Sequence, residues 1–179
     1  MIRKAAATDA AAIAGIYNHY VLHTVVTFEE EPVTVEEMGD RIAAVMQRYP
    51  WIVFEEHGRV TGYAYADSWK RRSAYRHTVE STVYLDPDHT GKGIGRQLYA
   101  ALISELGAMK IHAAIGGIAL PNEASIRLHE ALGFRNLIAF DMGGTTAKTS
   151  LIKDNEVSVA QGYHIGGYAS GHPVMFPVV

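Results

Sequence analysis

Residues 89–96 read His89-Thr90-Gly91-Lys92-Gly93-Ile94-Gly95-Arg96, and of all the segments in the chain this one is most plainly suited to chemistry. Glycine lets backbone N–H groups close on an anion, and the apolar spacing that follows is helical, so the partial positive charge of a helix N-terminus would add to the cradle. Lys92 and Arg96 can supply charge-assisted contacts. The ligand chemistry would be that of a phosphate or pyrophosphate. The spacing is neither G-x-G-x-x-G nor G-x-x-x-x-G-K-[ST], which sets aside the dinucleotide fingerprint and the P-loop. By itself the string also reads as a tight strand-to-helix connection.

Two further groups accompany it. Asn122, Ser125 and His129 are spaced to share one side of a helix, where an amide, a hydroxyl and an imidazole can converge on a ligand. Their plainer reading makes Asn122 an N-cap and His129 a half-buried helical residue. Glu80 sits mid-strand, where a carboxylate can serve as a general base or can pair with Arg72 or Arg76. His19 and His23 are four apart without a metalloprotease pattern between them, and the nine histidines form no ligand set, so no metal is expected.

These residues need elements to hold them. Thr8-Asp9 is a helix start, with Ile13, Ile16, Tyr17 and Tyr20 at helical spacing. Val25 to Phe28 is β-branched and aromatic. Thr34 to Glu37 is a capping-box pattern that opens a helix through about Gln47, with Ile42, Val45 and Met46 as its buried stripe. Trp51–Glu55 and Val60–Ala66 read as a hairpin around His57-Gly58-Arg59. Thr78–Leu85 is a strand with Val79, Ser81, Val83 and Leu85 on one face and Glu80, Thr82 and Tyr84 on the other. A long helix carries Leu98, Tyr99, Leu102, Ile103 and Leu106. A small apolar strand, Ala113 to Leu120, and a helix from Pro121 or Asn122 to Gly133 follow. The order predicts an α/β (α+β) fold whose mixed sheet, with helices on both faces, is antiparallel early and gains a parallel crossover over 86–112.

Composition narrows the function classes. The 179 residues amount to one domain, with 48% hydrophobic and 20% charged residues and a formal charge of -3, which argues against disorder and against nucleic acid as an electrostatic partner. The absence of cysteine removes thiolate catalysis, disulfides and Cys-bound zinc. No apolar run approaches a membrane span, so no membrane partner is expected and the expected location is cytoplasmic.

Taken together, the strand Thr78–Leu85, the loop His89 to Gly95 and the segment Leu120 to Phe134 resemble the GCN5-related N-acetyltransferase (GNAT) superfamily. The closer likeness is to its phosphinothricin and methionine-sulfoximine acetyltransferases. Tyr17-Asn18-His19-Tyr20, Tyr49-Pro50-Trp51 and Ala64 to Lys70 fit the same branch, so the resemblance covers about 1–135. It implies acetyl-CoA as cosubstrate and acetyl transfer to a small-molecule amine of amino-acid type. It also implies that Val83, Tyr84 and Leu85 meet the cofactor's arm, with the Leu85 N–H as an oxyanion donor. Gly91, Lys92, Gly93, Ile94, Gly95 and Arg96 would hold the pyrophosphate, with Asn122 and Ser125 contacting the arm. Glu80 matches the general base, and His129 stands where many members carry a tyrosine that protonates the leaving thiolate. Phe28, Arg72 and Tyr75 fall in segments like the acceptor pocket, although Lys70-Arg71-Arg72 also reads as a solvated basic turn. A homodimer is implied as well. Thr90 departs from the Arg or Gln usual at the start of the loop.

The larger departure is residues 136–179. Ile138 to Ser150 and the continuation through Gly166-Gly167-Tyr168 and Ser170-Gly171-His172-Pro173 resemble a fragment of hydantoinase A and oxoprolinase proteins. The expectation is an atypical segment that completes or extends the sheet, with strands around Phe140 and over Thr149–Tyr163 and a turn at Asp154-Asn155. Two alternatives to the enzyme remain: an acetyl-CoA-binding module whose acceptor site was lost with the exchanged tail, and a nucleotide-binding protein dependent on Asp141. Another small amine or a peptide N-terminus is the alternative acceptor.

Overall fold

The computed structural model describes residues 1–134 and, as backbone, the strands at 136–143, 146–153 and 156–159. The elements are β1 Ile2–Lys4, α1 Ala10–His23, α2 Val35–Met46, β2 Trp51–Glu56, β3 Arg59–Ser68, β4 Thr78–Leu85, α3 Ile94–Ala108, β5 Ala113–Ala119, α4 Glu123–Ala131, β6 Asn136–Gly143, β7 Thr146–Lys153 and β8 Glu156–Val159. They build one sheet in the order β1-β2-β3-β4-β5-β6-β7-β8. The β4–β5 and β5–β6 pairs are parallel and the others antiparallel. The expected Asp154-Asn155 turn, and the expected strand beyond Val159, fall outside the described residues. The strands on either side of 154–155 pair Lys153 with Glu156.

Alternation along the strands puts successive side chains on opposite faces, and the two faces carry separate cores. Trp51, Val53 and Tyr63 join Ile13, Tyr17, Met38 and Ile42 in one. Ile52, Ala64, Ala66 and Val79 join Leu98, Tyr99, Leu102 and Leu106 in the other. The sheet therefore lies between α1 and α2 on one side and α3 on the other, as the pattern of residues predicts.

Two local expectations need correction. Asp9 does stand at the N-cap of α1, but its side chain makes no cap bond there: residues 7–9 form a short 3-10 turn before α1 starts at Ala10. Asp9 is drawn back by the Ala6 N–H at 2.8 Å and by Arg3 at 2.7 and 2.9 Å, contacts stronger than a lone cap bond. In α2, Met46 is exposed while Met38 is buried, because the apolar stripe runs one turn earlier, toward α1. Thr34 caps that helix as expected, accepting the Glu37 N–H at 3.1 Å. The β-branched and aromatic segment Val25–Phe28 forms a turn, with Phe28 at φ 57°.

Candidate active site

The site begins where the sheet divides. The β4–β5 ladder ends at Ser81 opposite Gly116, and the next residues of β5, Gly117–Ala119, pair with β6 instead. Val83, Tyr84 and Leu85 continue along β3 with, among the described residues, no strand on their other side. The Asp86 N–H bonds the Thr61 carbonyl at 2.9 Å. Since hydrogen-bonded pairs alternate in an antiparallel ladder, the even-numbered residues face β3, and Ser81, Val83 and Leu85 turn their N–H and C=O groups into the fork. Two hydroxyls confirm this orientation: Tyr99 donates to the Ser81 carbonyl at 3.1 Å and Tyr20 to the Leu85 carbonyl at 2.7 Å. The Val83 amide and the Leu85 N–H are left as an open edge, suited to an extended chain carrying amides of its own.

This edge runs into the N-terminus of α3. Gly91 and Gly93 have φ of 72° and 77°, backbone that a side chain would strain. No side chain caps the helix, so its first N–H groups keep their unpaired donors. On the other wall the Asn122 side chain accepts the Ser125 N–H at 3.1 Å, the plain cap that one reading of the sequence proposed. A cleft of about 860 Å³ spans these features.

That cleft gathers Phe28, Glu80, Val83, Tyr84, Leu85, Gly91, Gly93, Gly95, Arg96, Asn122, Ser125 and His129, most of the residues singled out in the sequence. It does not gather four others. Lys92 is exposed beside the loop, and Ile94 is buried under it in the α3 core. Arg72 and Tyr75 are exposed at the short turn before β4. Thr90 borders the cleft and donates its hydroxyl to the Pro87 carbonyl at 3.0 Å.

Glu80 is half-buried and lies directly across from Asp67 of β3. Burial pushes its carboxyl above the ordinary value, and the Asp67 charge pushes the same way. Among the described residues no ion pair joins it to Arg72 or Arg76. The carboxylate therefore has the raised proton affinity and open access that a base needs. His129 is buried, with Nδ1 at 2.7 Å from the Ser125 carbonyl and Nε2 at 3.0 Å from the Tyr99 hydroxyl. Its imidazole is held below the ordinary value by burial, against which the Ser125 carbonyl acts. Reading from sequence missed Tyr20 and counted Tyr99 only as core. Periodicity reports which side a tyrosine faces and is silent on where its hydroxyl ends.

The geometry has the parts of an acyl-transfer enzyme: an open strand edge, an anion-binding helix start and a carboxylate facing the fork. The acetyltransferase (GNAT) domain family matches residues 2–142, and the chain belongs to that family. Phosphinothricin N-acetyltransferase of Streptomyces viridochromogenes is 46% identical over 133 residues, 74% of this chain and 73% of that protein. The L-methionine sulfoximine/L-methionine sulfone acetyltransferase of Salmonella typhimurium is 45% identical over 134 residues, 74% of this chain and 78% of its own. A GNAT superfamily phosphinothricin acetyltransferase from Sinorhizobium meliloti, solved in complex with AcCoA, superposes with a TM-score of 0.76 at 32% identity, covering 90% of this chain and 94% of that one.

Proposed function

We propose that this chain transfers acetyl from acetyl-CoA to the amino group of a small amino-acid-like substrate of the phosphinothricin or methionine-sulfoximine type. The observation that carries the reading is the fork itself, where the free Val83–Leu85 edge leads from the α3 N-terminus toward Glu80. Acetyl-CoA, when bound, supplies the activated acetyl thioester. Gly91, Gly93, Gly95 and Arg96 would hold its phosphates, with Lys92 adding charge from outside and Ile94 anchoring the loop from below. Val83, Tyr84 and Leu85 would hold the arm, with Asn122 and Ser125 on the facing wall, and the Leu85 N–H would meet the thioester carbonyl oxygen.

Glu80 would take a proton from the substrate ammonium so that the amine can attack. His129 would hold the proton required at the sulfur end. Phe28 forms the acceptor wall with Tyr17 and Tyr65, while Arg72 and Tyr75 stand outside it. The homodimer and the cytoplasmic location belong to the same reading and are tested by sedimentation and by fractionation. Residues 1–135 would form the acetyltransferase domain, with 136–179 as an added segment extending its sheet. The nucleotide-binding alternative, dependent on Asp141, is tested by calorimetry with ATP, which should give no heat.

The test follows CoA release with methionine sulfoximine and phosphinothricin. The parent chain should turn over at least one of them. Glu80→Gln should lose about 10²- to 10⁴-fold in kcat/KM and keep its affinity for acetyl-CoA. Full activity in Glu80→Gln would remove the base assignment. Binding without turnover on any small amine would favour a non-catalytic module.

A further inference from the structure

A buried run of polar groups crosses the cleft floor where the sheet divides. It begins at the Ser125 carbonyl, passes through His129 Nδ1 at 2.7 Å and then from Nε2 to the Tyr99 hydroxyl at 3.0 Å, and ends at the Ser81 carbonyl at 3.1 Å. Both ends are carbonyl oxygens, which only accept. Nδ1 must therefore carry a hydrogen, and a neutral ring then has a bare Nε2. Tyr99 has one proton to give, and two acceptors, Nε2 and the Ser81 carbonyl, compete for it. A charged ring resolves the competition: Nδ1–H bonds Ser125, Nε2–H bonds the Tyr99 oxygen, and the Tyr99 O–H bonds Ser81. Three links need three protons, and only the imidazolium provides the third.

We propose that Tyr99 is a positioning residue for His129: with the Ser125 carbonyl holding the neutral ring as the Nδ1–H tautomer, the Tyr99 hydroxyl accepts the Nε2–H of the charged ring, so that the pair is one buried proton site. The proposal rests on the reading that His129 takes part in acetyl transfer. Tyr99 and His129 are 1% and 2% exposed, so no solvent stands in for a missing partner. Gly116 of β5 seats the ring from behind, and a Cβ there would lie 2.6 Å from His129 Cδ2 and Nε2. The Phe134 ring meets it edge-on at 4.9 Å.

Among the described residues, the groups facing the site are few. From β4 it is the Ser81 carbonyl, from α4 Ser125, whose hydroxyl lies 3.4 Å from Nδ1, and from α3 Tyr99 itself. Burial pushes the Tyr99 phenol well above the ordinary value, opposed by the hydrogen bond to Ser81 and assisted from a distance by Tyr65 of β3 and Glu80 of β4. Tyr99 thus stays protonated and serves as a neutral donor and acceptor. Burial resists the charge on His129 and the third hydrogen bond favours it, so removing the hydroxyl should lower the ring's proton affinity.

Nitrogen-15 NMR of the parent chain should show His129 as the Nδ1–H tautomer when neutral. In Tyr99→Phe, which keeps the ring, the His129 titration midpoint should fall by about one pH unit, tenfold in proton affinity. The alkaline limb of kcat should fall with it, while acetyl-CoA affinity measured by calorimetry stays within about threefold. An Nε2–H tautomer in the parent chain, or an unmoved midpoint in folded Tyr99→Phe, would overturn the proposal; should that variant not fold, the parent tautomer decides. Full turnover by His129→Gln would instead overturn the part given to His129 in acetyl transfer. The two failures are distinguishable, because the second leaves the parent's titration untouched.

Discussion

A single methyl group at Gly116 should disturb the cleft floor more than most deletions would. The added Cβ would stand 2.6 Å from two atoms of the His129 ring, against an ordinary carbon contact of about 3.5–4.0 Å. The ring must therefore withdraw by roughly 1 Å, or β5 must shift away from α4. Withdrawal stretches the 3.0 Å link to Tyr99 and the 2.7 Å link to Ser125, both buried. Overpacking costs about 1–3 kcal/mol and a lost buried hydrogen bond about 1 kcal/mol. We expect Gly116→Ala to lose about 2–3 kcal/mol, or roughly 4–12 °C in Tm for a chain of this size. The assay is thermal and urea denaturation of Gly116→Ala, His129→Ala and the double variant. His129→Ala vacates the space the methyl needs, so adding Gly116→Ala to it should cost little, with a coupling of at least about 1.5 kcal/mol. An unchanged Tm in Gly116→Ala, or the same loss with and without His129, would refute the packing argument.

The remaining expectations concern charge. Asp67→Asn removes one of the two influences that raise the Glu80 carboxyl, so the acid limb of the kcat/KM profile should move to lower pH while burial keeps it above the usual carboxylate range; an unmoved limb would detach Asp67 from the base. The hydrogen bonds from Arg3 hold the Asp9 carboxyl below its ordinary value, assisted by the Ala6 N–H and opposed by burial. Its contribution to stability is therefore complete above the unfolded value of about 3.9 and is lost as pH falls through the lower folded value. Asp9→Asn should cost about 1–2 kcal/mol at pH 7, discounted for the partly exposed Arg3, and should flatten the acid side of a stability-against-pH curve.

Much of the site was legible because its pieces are local. The glycine loop, the Asn122 cap and the strand that carries Glu80 are each contiguous strings whose conformation depends on their own residues. Less legible were contacts between distant segments. Arg72 was read toward the acceptor because an arginine suits a carboxylate; it stands at an exposed turn and is not among the residues that line the cleft, and no periodicity over 70–76 reports the direction of that turn. Tyr20 and Tyr99 were visible as helix positions, but their partners, Leu85 and Ser81, come from another element. Asp9 signals a helix start from its type alone, and only the fold reveals that Arg3 has claimed it.

Strand order in space repeats strand order along the chain, from β1 to β8, so a strand added after β5 lengthens one margin and rethreads nothing before it. Among the described residues, those that line the cleft run from Tyr17 to His129. The contact that β5 offers the following segment is short, three register pairs from Gly117 to Ala119. Whatever follows α4 therefore has only to begin as a strand able to lie parallel to those residues, a demand on backbone more than on side chains. The margin beyond β5 can vary widely in sequence while the register of the strands before it stays the same.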